Sequence, residues 1–192
     1  YLCFFKKINR NIENFFLKNK SVIDLNKKKF PHYTINDIKF RLVRDNLITQ
    51  NEYFLIMQDM MNEKNFKIDS FNEILFMKKK DITELSELGH NIGLHSHSHP
   101  TVLENLSFKN QNIEYNKNFQ LLLKLISRNS LINSMSHPCG SYNEDTIKVL
   151  KKLKIEIGFK QIMDIEKDRG MLSINNSNFE IARQDHSTIM KE

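Results

Sequence analysis

Apolar residues recur every three or four positions at the start of the chain. Phe4, Phe5, Ile8, Ile12, Phe15 and Phe16 alternate with Lys and Asn, which predicts one amphipathic helix packing its apolar face on the domain. A lysine-rich turn is expected around Asn26 to Lys29, ahead of a break at Pro31. A second helical zone runs from about Asn36 to Asn65. Within it Thr49 and Glu52 have the spacing of a capping box, which divides the zone into two helices. The stripe of Tyr53, Phe54, Met57, Met60 and Met61 reads as core rather than as a cofactor site.

From Ile74 the pattern shifts to short alternating units. "ILFMKKKD" is a brief apolar stretch, and Asp81 and Glu84 cap a helix whose buried face would be Ile82, Leu85 and Leu88, closed by Gly89. "HNIGLHSHS" reads as a short strand. Ser107 opens a long helix through Phe119, Leu122 and Ile126, "LINSMSHP" is a strand, Asn143 caps a helix through Leu153, and "IEIGF" is another strand. Helices alternating with short strands imply an α/β layer structure or barrel with parallel strands. Sites in such folds gather at the C-terminal strand ends, where both "HSHSHP" and "HPCGSYN" fall.

Length and composition narrow the class. The chain has 192 residues, 40% hydrophobic and 27% charged, enough for one globular unit with a real core. Its net charge of +6 is spread along the chain rather than gathered in a stripe, so nucleic acid is not expected as a partner. The two cysteines, Cys3 and Cys139, form no CxxC pair and suggest neither a disulfide framework nor a thiolate zinc site. No apolar run approaches the ~20 residues of a membrane span, and "YLCFFKKINRN" lacks the apolar core of a signal peptide. The opening Tyr1 suggests that the natural N-terminus lies upstream.

The chemistry concentrates in "HSHSHP". His95 and His99 are four apart with His97 between them, a spacing that lets two neutral imidazoles meet one ion across a tight loop. The same spacing also occurs in surface histidine clusters. In "HPCGSYN" the residues by themselves give a Pro-Gly turn leading into an Asn helix cap.

Taken together, "GHNIGLHSHSHPTVLENLS" and "SMSHPCGSYNEDTIKVLKKLKIEIGFK" resemble the second and third motifs of the polysaccharide deacetylase family, the NodB-homology carbohydrate esterases, over roughly Phe76 to Arg183. The resemblance implies an α/β fold, a deformed and incomplete (β/α) barrel, with residues 1–70 as a helical segment or insertion and 71–192 as the deacetylase-like portion. It implies metal-dependent hydrolytic removal of N-acetyl or O-acetyl groups from a poly- or oligosaccharide or a cell-envelope glycan precursor, and leaves the compartment open between a bacterial cytoplasm and the cell envelope. It assigns a divalent ion, zinc foremost, to His95 and His99, with Ser96 supporting the loop and His97 at the rim. Imidazole ligands alone suit zinc, cobalt, nickel and copper alike. It assigns the oxyanion contact to the backbone N–H of Cys139, and the substrate loop to Pro138, Cys139, Gly140 and Tyr142. Ser136 stands where many members have Arg. The late histidine, as general acid, would be His186.

The family's first motif, Thr-Phe-Asp-Asp-Gly, with its general base and third metal ligand, has no counterpart. Asp24 in "SVIDLN" comes nearest and lacks both the second Asp and the Gly. The expectation is therefore a deacetylase chain that begins after that motif, binds metal weakly and turns over poorly. The alternative is a carbohydrate- or metal-binding relative without catalysis.

Overall fold

Side-chain caps cut the N-terminal part of the chain into short helices. A computed structural model describes residues 1–30, 33–67, 75–127, 130–161 and 177–183. The expected single opening helix is two, α1 (Leu2–Lys6) and α2 (Ile12–Lys18). Asn11 breaks it, because its side chain accepts the Asn14 N–H at 2.9 Å and so starts a new helix. Nor do Asn26 to Lys29 form a turn. They close α3 (Lys20–Lys29), where Phe30 N–H bonds Asn26 O at 2.8 Å, consistent with the good helix propensity of Lys.

α4 (Ile35–Asn46) and α5 (Gln50–Glu63) follow, each opened by a reciprocal box. Thr34 pairs with Asp37 and Thr49 with Glu52, so two orphan N–H groups are satisfied at each start. The α1–α5 helices belong to one compact unit, Tyr1–Phe76, with a core of Phe4, Ile8, Phe16, Ile23, Ile38, Leu42, Val43 and Ile48. The Phe4 and Phe40 rings meet edge-on at 4.8 Å. Of the expected α5 stripe, Tyr53, Met57 and Met60 flank this core, whereas Phe54 is 55% exposed.

The second unit, Met77–Glu192, holds the α/β part. It begins with α6 (Lys79–Glu87), where the Asp81 carboxylate accepts the Lys78 N–H at 2.7 Å. Gly89, at φ +88°, ends that helix in the left-handed conformation Gly adopts without cost. Leu88, expected in the buried face, is 69% exposed, and Ser86 is buried in its stead, its Oγ accepting the Ser127 N–H at 3.0 Å. Residue 74, the first of the expected apolar stretch, lies outside the described residues.

Beyond α6, two strands run parallel, β1 (Ser134–Ser136) and β2 (Ile157–Phe159), with Met135 opposite Gly158. Single parallel bridges extend the pair on both sides, Leu94 to Met135 and Phe159 to Ile181. The four segments thus lie side by side in chain order. α7 (Phe108–Leu123) starts at a Ser107 cap and α8 (Glu144–Lys152) at an Asn143 cap, and the two helices pack together. The β1–α8–β2 passage is the helical crossover that a parallel pair requires. Leu94, Leu103, Tyr115, Met135, Val149, Leu150 and Phe179 form the core between helices and sheet. Each such side chain contributes roughly 1.5–3 kcal/mol by leaving water.

Gly158 lets the last segment approach β2, since a Cβ there would lie 2.6 Å from the Phe179 carbonyl oxygen. Gly158→Ala must push backbone aside, and a loss of about 1–3 kcal/mol is expected, read as a fall in Tm of several degrees. An unchanged Tm would show that the Phe179 backbone yields to the added methyl without cost.

Candidate functional site

The loop carrying the histidines leaves Leu94 and is held by α7. Leu94 N–H bonds Ser134 O at 2.9 Å and Ser136 N–H bonds Leu94 O at 3.0 Å, which brings the start of the loop against the end of β1. Glu114 and Asn118, four apart and so on one face of α7, take the loop's amides. Asn118 Oδ1 accepts the His95 N–H at 3.0 Å, while Glu114 Oε2 accepts those of His97 and Ser98 at 3.1 and 2.8 Å. The other Glu114 oxygen accepts the Ser98 hydroxyl at 2.9 Å. Ser96 is buried and its Oγ accepts the His99 N–H at 3.1 Å, closing a tight turn. That turn puts Ser96 at φ 61° and His99 at φ 54°, a left-handed conformation that costs a non-glycine residue of order 1 kcal/mol.

The result is a pair of imidazoles with ring centroids 4.8 Å apart and planes at 61°. His95 Nδ1 lies 2.9 Å from Ser136 O. A carbonyl only accepts, so Nδ1 carries the proton and Nε2 keeps its lone pair. Partial burial, helped by repulsion from His99 and Arg183, holds the His95 pKa below the ordinary imidazole value and keeps it neutral near pH 7. A fixed tautomer, a neutral ring and a second imidazole beside it suit a divalent ion that takes nitrogen donors. Among the described residues, no group of three or more His, Cys, Asp or Glu side chains is arranged to hold a metal. His97 is exposed, with its N–H held by Glu114.

The second loop follows β1. His137 N–H bonds Phe159 O at 3.0 Å, and a 3-10 turn, Pro138–Gly140, is closed by Gly140 N–H to His137 O at 3.0 Å and Ser141 N–H to Pro138 O at 2.9 Å. Cys139 is exposed at φ 52° and Gly140 sits at φ 69°, so left-handed backbone gathers in both loops. Tyr142 stacks on His137 at 4.2 Å and donates its hydroxyl to Glu180 Oε1 at 2.9 Å. Its face and hydroxyl are therefore engaged within the protein. A cleft of about 630 Å³ beside it is lined by Asn143, Ile147, Lys148 and Lys151, among others. His186 lies outside the described residues, and Asp24 falls within α3, in the other unit.

Several contributors went unread in the sequence. Glu114 and Asn118 sit in α7, distant in sequence from the amides they hold; their four-residue spacing was the one local clue. Buried Gln111 joins the loop to α8, donating to Leu106 O at 2.9 Å and accepting the Thr146 hydroxyl at 2.6 Å. Arg183 Nη1 donates to Ser136 Oγ at 3.3 Å, at the end of β1 beside the imidazoles. His137, read only as a variable position, is 1% exposed. Its Nε2–H donates to Phe179 O at 2.7 Å.

Two outcomes are expected from these contacts. Glu114→Ala leaves two amides and a hydroxyl of the loop without their acceptor, so it should cost about 1–2 kcal/mol and speed hydrogen exchange at His97 and Ser98. Protection equal to wild type would show that α7 does not shape the loop. Burial lowers the His137 pKa to about 4. The unfolded chain takes up this proton near its ordinary pKa of about 6.5 and the folded chain does not, so stability falls as pH drops from about 6.5 toward 4. The difference amounts to ~3 kcal/mol at most. His137→Gln, which keeps a donor for Phe179 O, should flatten this acid limb in Tm against pH. An equally steep limb would assign the effect to other groups.

The sequence model of the polysaccharide deacetylase family matches residues 48–158, more than half of the chain. The match begins before Phe76, where the motif resemblance starts, and stops short of Arg183. A solved structure, the Streptococcus pyogenes deacetylase PplD in complex with acetate, is similar at 20% identity and a TM-score of 0.48, covering 69% of this chain and 58% of that one. The chain thus spans less than two thirds of that relative. No curated protein matches. With its histidine loop and its Pro-Cys-Gly loop side by side at the ends of parallel strand segments, the chain belongs to the polysaccharide deacetylase family.

Proposed function

We propose that this chain carries the imidazole half of a metal-dependent glycan deacetylase site, acting on N-acetyl or O-acetyl groups of a polysaccharide or cell-envelope glycan precursor. The observation that supports it is the His95–His99 pair, with the His95 tautomer set by Ser136 O, in a chain of this family. The consecutive parallel order of Leu94, β1, β2 and Ile181 fits an arc of the family's barrel, since a doubly wound sheet would reverse order.

His95 and His99 would hold the ion, zinc foremost. A bound divalent ion polarises the acetyl carbonyl and lowers the pKa of its water, so hydrolysis becomes feasible near neutral pH. The protein's own part is to keep His95 neutral and aimed through Ser136, and to clamp both rings by the amide contacts of Glu114, Asn118 and Ser96. In this reading the Cys139 N–H faces the developing oxyanion, a main-chain contact that does not depend on the Cys side chain. Pro138, Gly140 and Tyr142 shape the loop against the sugar, and His186 protonates the leaving amine.

No described carboxylate stands with the imidazoles. That observation favours slow turnover, and it equally supports the second reading, a glycan- or metal-binding relative without catalysis. Acetate release from N-acetylated oligosaccharides, with zinc or cobalt added, separates the two. Slow release that a chelator abolishes is expected, and His95→Ala and His99→Ala should each weaken zinc binding at least tenfold. Zinc binding indifferent to both substitutions would sink the deacetylase reading. Zinc and glycan binding without release would leave the binding relative.

A further inference from the structure

One face of α7 grips both loops of the site. Glu114 and Asn118 hold the amides of the histidine loop, and Gln111, one turn before Glu114, lies on the same face. Gln111 is 0% exposed. Its Nε2 donates to Leu106 O at 2.9 Å and to Asn143 Oδ1 at 3.2 Å, while its Oε1 accepts the Thr146 hydroxyl at 2.6 Å. A side-chain amide offers two N–H donors and a carbonyl acceptor, so one buried group meets all three partners.

Those partners lie on two different stretches of chain. Leu106 follows the histidine loop, and Asn143 and Thr146 follow the Pro138–Gly140 turn. Two further contacts join the same stretches, from Asn143 Nδ2 to Glu104 O at 2.9 Å and from the Glu104 N–H to Ser141 Oγ at 3.1 Å. The bridge between Leu94 and Met135 fixes where the two loops begin. The contacts around Gln111 fix where they end.

We propose, resting on the deacetylase reading above, that Gln111 is a positioning residue, which sets the separation between an ion on His95 and His99 and the N–H of Cys139. In that reading both act on the same acetyl oxygen, so an error of about 1 Å between them costs rate steeply. The imidazoles are braced within their own loop by Glu114, Asn118 and Ser96. Loss of Gln111 therefore spares the ion and displaces the oxyanion contact.

Cobalt(II) makes that separation measurable without turnover, because a bound paramagnetic ion shifts nearby amide signals by amounts that fall steeply with distance. In the ¹⁵N-labelled chain, cobalt should shift the amides of His97, Ser98, Cys139 and Gly140. Gln111→Met fills the same volume, makes none of the three contacts and leaves the Thr146 hydroxyl an acceptor at Asn143 Oδ1, 3.3 Å away. It should bind cobalt as wild type does and keep the shifts at His97 and Ser98, while those at Cys139 and Gly140 shrink or split. Acetate release should slow about tenfold or more, falling in kcat more than rising in KM. Ser141→Ala, which cuts only the Glu104 tie, should change the same Cys139 signals less, and it carries the test if Gln111→Met does not fold. Ile155→Ala, in the core ahead of β2, should lower Tm and leave the Cys139 shifts and acetate release as in wild type. Cys139 shifts that Gln111→Met leaves unaltered, or that Ile155→Ala disturbs equally, overturn the positioning role while leaving the histidine site standing. Wild type that takes cobalt and releases no acetate overturns the deacetylase reading, and the Cys139 shifts then decide the role of Gln111 by themselves. Cobalt that moves no amide of the wild-type loops overturns both.

Discussion

The hydrogen bonds that seat Leu94 against β1 decide where the chemistry of this protein lies. Two backbone contacts, to Ser134 O and from Ser136 N–H, lock the register. His95 is the next residue, so its ring arrives beside Ser136 O and nowhere else. A slip of one residue would turn Leu94 out of the core and point His95 into it. Leu94 is 1% exposed, and its burial with Met135 and Tyr115 holds that register. The imidazole pair is thus secured by an apolar side chain with no part in its chemistry.

Beyond that anchor, the site is held under tension. Ser96, His99 and Cys139 adopt left-handed backbone without being glycine; His99 is one of the imidazole pair and Ser96 lies between its two members. The contacts that offset this cost come from α7, whose Glu114 and Asn118 accept the loop amides, and from Ser96 itself. Such strain persists where surrounding hydrogen bonds over-determine the loop, and here it accompanies two imidazoles held 4.8 Å apart. Arg183 donates to the Ser136 hydroxyl and so ties the last described segment to the end of β1 beside the imidazoles.

Local features were the legible ones. Thr49 with Glu52, Ser107 and Asn143 announced helix starts, because a cap depends on residues within three positions of one another. The histidine and Pro-Cys-Gly loops stood out for the same reason, as short motifs at strand ends. The opening helix was misread, since apolar spacing continues in phase across Asn11 while the backbone does not. Phe54 and Leu88 were assigned to buried faces and are exposed, because periodicity marks which side of a helix is apolar and not how much of it another element covers.

By itself, then, the sequence determined where the helices begin, that short strands alternate with them, and which residues could ligate an ion. Those properties follow from backbone hydrogen bonding and side-chain chemistry over a few residues. The tertiary structure alone decided that His95 takes its tautomer from Ser136, that Glu114 and Asn118 brace the loop, that His137 is buried against Phe179, and that Arg183 stands beside the imidazoles. Each of these joins residues far apart in the chain. No local preference specifies such a pair until the parallel segments bring their C-terminal ends together.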